Sequence, residues 1–285
     1  MANATFPYAL AAIDIDDTLV GPDKRIGRAN RRAVGRLRDL GCRVILASGR
    51  RHANMLAYCE ELGLDDYVVS SHGARVEHPR TGEILHRAWL DSDLAASLVA
   101  EGLDRGHTVM LWLAEGIYAQ AETRWVDAYR RATGNDPVTV ADLRALSGRP
   151  AEKVTWSAEP ERIAAHLAEL SARRDPRVCA LTTDDWCIEL TAREAHKADG
   201  VAAVASSAGI PREAVLAFGD GNNDVSMLSW AGLGVAMPHG RPSARAAARA
   251  VAADGDPESA LARAVDHIAA GFPSPVAEQD LRRVD

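Results

Sequence analysis

The sequence predicts an α/β protein, a doubly wound parallel sheet with a second α/β domain inserted into it. Three observations carry that prediction. Residues 8–13 (YALAAI), 42–47 (CRVILA) and 215–218 (VLAF) are short apolar runs without alternation, the make-up of parallel strands covered on both faces. Helical patterns separate the early runs, so strand, helix, strand, helix and strand follow one another, and this order implies right-handed crossovers. The pattern then breaks down between Ser92 and Thr191 and resumes afterwards.

Taken in order, the run at 8–13 ends on Asp14-Ile15-Asp16-Asp17-Thr18, and a Gly21-Pro22-Asp23 turn follows. A helix with Ile26, Ala33, Leu37 and Leu40 on one face stops at Gly41, a residue suited to the end of a helix. The strand at 42–47 leads into Ser48-Gly49-Arg50, a helix ends near Leu62-Gly63, and a third strand covers 67–70. Residues 74–87 read as two short strands around the turn Pro79-Arg80-Thr81-Gly82. The insertion is expected at 81–189, leaving 1–80 and 190–285 as the core. Beyond it come a helix at 197–208, the strand ending at Asp220, a helix at 224–231 and a strand at 233–236. The Ala- and Arg-rich stretch 243–253 has helical spacing, and 274–285 reads as a polar tail.

Composition narrows the function. At 285 residues and 47% hydrophobic, the chain is long enough for two domains. A net charge of -7 argues against a nucleic-acid binder, which usually shows a basic stripe. No apolar stretch reaches the ~20 residues of a membrane span, and the N-terminus lacks the basic and apolar blocks of a signal peptide. The four cysteines form no Cys-x-x-Cys pair and read as reduced residues, so a cytoplasmic protein is expected.

The chemistry lies where the strands run out. In open α/β sheets ligands bind above the carboxyl ends of the strands. Asp14-x-Asp16 sits at one such end, and Gly219-Asp220-Gly221-Asn222-Asn223-Asp224 at another. Carboxylates gathered there repel one another and resist desolvation. A hard divalent cation relieves both effects, and all-oxygen ligands favour Mg²⁺. Either cluster alone is equally an Asp-rich turn; the two together, with Ser48 and Lys197 between them, describe metal-assisted phosphoryl transfer.

Those four pieces, in that order, resemble the haloacid dehalogenase (HAD) superfamily, and within it the Cof-type phosphatases with a type IIB α/β cap inserted after the third strand. The resemblance covers nearly the whole chain. It implies that Asp14 is the nucleophile and forms an aspartyl-phosphate, and that Asp16 is the general acid and base. Ser48, Gly49, Lys197 and Asn223 would hold the phosphoryl group, with Lys197 balancing its charge. Asp14, Asp16, Asp220 and Asp224 would form the metal site, Asp224 holding metal-bound water or Lys197. Thr18 is expected to satisfy backbone groups in its turn. Arg50 and Arg51 follow Ser48-Gly49, but solvent-facing arginines are common and neither is assigned to the site.

The chain departs from the Cof-type pattern twice. His72-Gly73-Ala74 stands where Asn-Gly-Ala is usual, and His239-Gly240 where Asn-Ala is usual. Drift among polar residues is the simpler account of both. Five of the six tryptophans (Trp89, Trp112, Trp125, Trp156 and Trp186) fall in the insertion. Most are expected in its core, with one or two available to stack on a sugar or heteroaromatic ring. The resemblance therefore implies a Mg²⁺-dependent phosphomonoesterase acting on a small phosphorylated metabolite, a sugar phosphate first. The alternatives are a hexose phosphomutase, a non-catalytic sensor of a phosphometabolite and, more weakly, a dehalogenase. The oligomeric state is not legible.

Overall fold

In the computed structural model, which describes residues 6–173 and 175–270, the two strands that carry the Asp-rich turns lie side by side. Leu10–Ile13 pairs in parallel with Val215–Gly219 on one side, Ile13 opposite Phe218, and with Arg43–Leu46 on the other. The full order is Ala250–Val251, Leu233–Ala236, Val215–Gly219, Leu10–Ile13 and Arg43–Leu46, with every pairing parallel. A parallel bridge from Ala47 to Val69 leads to Val68–Ser70, which forms a three-stranded sheet with Arg75–Glu77 and Ile84–Arg87.

Both faces of the five-stranded sheet are covered, which is why its strands read as unbroken apolar runs. Ile13, Leu46, Phe218 and Val235 pack with Val34 and Leu37 of the helix Arg28–Asp39 and with Leu261 and Val265 of the helix Ala260–Ala269. Leu10, Ala12, Ile45 and Ala217 pack with Val201 and Val204 of the helix Lys197–Ser207 and with Met227 and Leu228 of Val225–Trp230. The doubly wound parallel core is thus confirmed.

One element differs from its sequence reading. The stretch 243–253 is helical only over Pro242–Ala247, and Ala250–Val251 then adds an edge strand beside Leu233–Ala236. Its Ala and Val are buried there, and burial at the sheet edge outweighs the helical spacing. The tail at 274–285 lies outside the described residues.

The chain divides into two compact units, one of residues up to His86 with those from His196 onward, the other Arg87–Ala195. In the first unit, the hairpin of Arg75–Glu77 and Ile84–Arg87 continues the Val68–Ser70 sheet.

The second unit is built on a six-stranded sheet ordered Val178–Leu181, Cys187–Ala192, Lys153–Ser157, Thr108–Trp112, Ile117–Ala119 and Val138–Thr139. Its pairs are antiparallel except the last. The helix Ser92–Asp104 starts at Asp91, whose carboxylate accepts from Leu94 N at 2.8 Å. Gly102 on that helix leaves room for Trp156, whose Nε1 donates to Leu98 O at 3.0 Å. Trp112 and Trp156 are buried within the unit, whereas Trp89, Trp125 and Trp186 are half-buried. Trp125 and Trp186 stack on each other with ring centroids 5.9 Å apart. Among the described residues no helix is long and apolar enough to cross a membrane, and all four cysteines are free.

Candidate active site

Parallel pairing brings the ends of three strands to one place. Asp14 follows Leu10–Ile13 directly, and its N–H donates to Phe218 O at 3.0 Å, next to Gly219-Asp220. Ser48 N donates to Val69 O at 2.9 Å, at the same edge of the sheet. The helix Lys197–Ser207 packs on this sheet through Gly200, where a Cβ would stand 2.5 Å from Val69 Cγ1. That close approach brings Lys197, at the start of the helix, to the strand ends.

Lys197 is fully buried, and its Nζ donates to Asp14 Oδ1 at 2.5 Å and to Asp224 Oδ1 at 2.6 Å. Burial works to lower its pKa, but Asp14 and Asp224 outweigh it and hold the ammonium above its ordinary value. The other oxygen of Asp224 accepts from the N–H groups of Asp220 and Gly221, at 3.0 and 2.8 Å. Gly219 permits this, since a Cβ there would be 2.5 Å from Asp224 Cγ. Asp224 therefore ties the loop and Lys197 together.

Asp14, Asp220 and Asp224 offer oxygen atoms that all lie within 4.8 Å of one another. Burial, and then the charge of Asp224, raise the Asp14 carboxyl well above its usual range. The same two causes push Asp220 up to about 7. Three carboxylates against one ammonium leave negative charge unbalanced, and an all-oxygen set of this kind fits a hard divalent cation. Thr18 Oγ1 donates to Asp220 Oδ1 at 3.0 Å, so it orients a carboxylate where backbone groups were expected.

Asp16 is not brought into this group. Arg50 grips its carboxylate with two donors, Nε to Oδ2 at 2.8 Å and Nη2 to Oδ1 at 2.7 Å, and Lys24 Nζ adds a third at 2.7 Å. Burial would raise the Asp16 carboxyl, but the bonds from Arg50 and Lys24 prevail and hold it at about 2. The Arg50 guanidinium also lies 5.3 Å from the Tyr58 ring centroid, and Tyr58 OH donates to Lys24 O at 3.1 Å. Sequence reasoning left Arg50 and Lys24 out. For Arg50 the available signal was its place directly after Ser48-Gly49; for Lys24 there was none.

Ser48 is buried and its Oγ accepts from Arg50 N at 3.2 Å, which leaves its own proton to donate. Gly49 lies against His72, and a Cβ at that position would come within 2.7 Å of His72 Nε2. Asn223 Nδ2 is 3.4 Å from His72 Nδ1. The second unusual histidine, His239, is exposed, with Nε2 2.7 Å from Asp17 O.

A Ser-Gly turn, a buried lysine and a three-carboxylate cluster at the ends of parallel strands describe a phosphoryl-transfer site, and comparison with known proteins agrees. Residues 11–265 match the family model for haloacid dehalogenase-like hydrolases. The chain belongs to this family. It is 32% identical over 245 residues to the 5-amino-6-(5-phospho-D-ribitylamino)uracil phosphatase YitU of Bacillus subtilis (strain 168), covering 83% of this chain and 88% of that protein. Its fold matches a haloacid dehalogenase-like hydrolase from Bacteroides thetaiotaomicron with a TM-score of 0.80 at 23% identity, over 92% and 99% of the two chains. It also matches the HAD subclass IIB sugar phosphatase BT4131, with a TM-score of 0.79 at 23% identity, over 91% and 98%. The chain is an enzyme of the phosphatase type within this HAD-like family.

Proposed function

We propose that this HAD-like enzyme is a Mg²⁺-dependent phosphomonoesterase that hydrolyses a small phosphorylated metabolite, a sugar phosphate first, through an aspartyl-phosphate. The observation that carries the reading is the buried contact of Lys197 with Asp14 beside Asp220 and Asp224. Lys197 occupies Oδ1 of Asp14, which leaves Oδ2 as the attacking atom. A carboxylate is a weak nucleophile toward an anionic ester, so its charge and that of the phosphoryl group must be neutralised. Lys197 supplies part of this. Asp14, Asp220 and Asp224 are the residues that would hold Mg²⁺, which supplies the remaining positive charge when bound.

In the first step the Oδ2–phosphorus bond forms as the ester oxygen leaves and takes a proton from Asp16. In the second, Asp16 takes a proton from water, the water oxygen bonds phosphorus, and phosphate departs from Asp14. The carboxylate held by Arg50 and Lys24 is the proton-accepting form of Asp16. In the first step it enters protonated and out of that grip. Ser48 Oγ, the Gly49 N–H, Lys197 and Asn223 are assigned to the phosphoryl oxygens. We assign the choice among esters to the unit Arg87–Ala195, whose Trp125 and Trp186 are half-buried aromatic surfaces. The relative in Bacillus subtilis adds a second candidate class, phosphorylated ribitylamino-pyrimidines.

The test is a panel of phosphorylated metabolites containing sugar phosphates and that pyrimidine phosphate, read as phosphate release with Mg²⁺, and Asp14→Asn run in parallel. An isomeric phosphate ester in place of free phosphate would identify a phosphomutase. Binding of an ester without turnover would identify a sensor.

A further inference from the structure

The loop that follows Val68–Ser70 holds an unusual backbone. Ser71, His72 and Gly73 are all left-handed, with φ of 49°, 61° and 101°. Gly73 is suited to this, and a Cβ there would collide with His196 O. Ser71 and His72 are not, since a side chain rarely adopts positive φ without a reason, and such residues gather at functional sites.

What the strained loop does is visible in its contacts. Ser71 N donates to Arg50 O at 2.8 Å and His72 N to Ser48 O at 3.0 Å, so the loop is fastened to both ends of the Ser48-Gly49-Arg50 turn. The His72 side chain is 2% exposed and rests on Gly49, filling the space a larger residue would need. Its Nδ1, one of the ring atoms beside Gly49, lies 3.4 Å from Asn223 Nδ2 in the loop after Val215–Gly219. The Asn223 amide also lies close to Gly221, its Oδ1 2.6 Å from where a Cβ there would stand. One imidazole therefore spans two loops that sequence places far apart.

We propose that His72 is a positioning residue, a strut that sets the separation between the Ser48-Gly49 turn and Asn223. This inference rests on the reading of both as contacts to the transferring phosphoryl group. Donors on two loops match the oxygens of one phosphorus only if their spacing is fixed, and misplacement by about 1 Å costs up to ~10²-fold in rate. Backbone conformation alone asks for Gly or Asn at position 72. The imidazole adds reach, and the strain is tolerated because four contacts hold the loop in place.

Three variants separate the ring from the backbone. His72→Gly relieves the left-handed conformation and removes the strut. It is expected to keep or raise the melting temperature, lower kcat roughly tenfold or more, change KM less than about threefold, and weaken competitive inhibition by inorganic phosphate. His72→Asn tolerates the conformation and keeps a polar group beside Asn223, and should recover kcat to within about threefold of the parent. His72→Ala should lose both melting temperature and kcat. A His72→Gly enzyme with the parent's kcat overturns the inference, as does a His72→Asn enzyme no better than His72→Gly. If the parent itself releases no phosphate from any ester, the phosphatase reading fails. An active parent with an unaffected glycine variant overturns the strut alone.

Discussion

Two lysines of this protein are buried, and they sit in opposite electrostatic surroundings. Lys197, in the core unit, meets Asp14 and Asp224 with Asp220 close by, so one ammonium faces three carboxylates. Lys153, in the inserted unit, pairs with Glu189 and lies 3.7 Å from the centroid of the Trp112 ring. Thr183 Oγ1 satisfies the other oxygen of Glu189 at 2.7 Å. At the second site the ammonium of Lys153 is met by the carboxylate of Glu189, one charge of each sign. The first site differs: Asp14 and Asp220 are both driven toward their neutral forms by burial and by Asp224, and a bound cation reverses that tendency. A buried lysine by itself therefore distinguishes nothing; the count of charges around it separates a packing device from a reaction site.

The largest test of this contrast is at the nucleophile. Asp14→Asn keeps the size of the side chain and removes its attacking oxygen, so phosphate release should fall by at least ~10³-fold with the melting temperature held or raised. Activity near that of the parent would refute the assignment of Asp14. The two lysines come next. Lys197→Met should cost activity by ~10²-fold or more, through lost charge at the phosphoryl group. Lys153→Met takes the ammonium away from the buried Glu189 carboxylate and should cost stability, about 3–5 kcal/mol by denaturant melt, while Lys153→Met with Glu189→Leu should recover most of it. Equal losses of activity from both single variants at equal stability would erase the distinction between the sites.

Metal addition sharpens the comparison from the other side. Chelator should stop turnover and Mg²⁺ should restore it, with Ca²⁺ a poor substitute because its looser shell imposes no octahedral geometry. At a hundredfold excess over its Kd, Mg²⁺ should stabilise the parent by roughly 2.7 kcal/mol, and Asp220→Asn should blunt that gain. Full turnover in excess chelator would remove the metal from the reading.

The smallest effect belongs to the inserted unit. His107 is buried with its Nε2 2.6 Å from His166 Nδ1, and burial, then His166, lower its pKa from 6.5 to about 4. The folded state thus favours the neutral ring. This stability is fully present above about 6.5 and is lost as pH falls toward 4, where the unfolded chain binds the additional proton. Because His166 is only half-buried, a loss of order 1–2 kcal/mol is expected, seen as a falling melting temperature over that range. His107→Gln should flatten the dependence.

The parallel core, the strand-end positions of Asp14, Ser48 and Asp220, and the place of Lys197 at a helix start were legible in the chain. Apolar runs, helical spacing and turn residues are local signals, and a parallel sheet turns strand ends into a common edge. The short motifs then carried family membership. The grip of Arg50 and Lys24 on Asp16, the bond from Thr18 to Asp220 and the reach of His72 to Asn223 were not legible. Each depends on where a long or polar side chain finds a partner across the fold, and many surface positions would have satisfied the same residue equally well. The stretch 243–253 shows the same limit at the level of secondary structure, since helical spacing and an edge strand compete there and the neighbouring Leu233–Ala236 decides. Sequence by itself determined which groups the strand ends present; tertiary structure decided which of them meet, because packing, and not spacing along the chain, sets the distances at which charges and hydrogen bonds act.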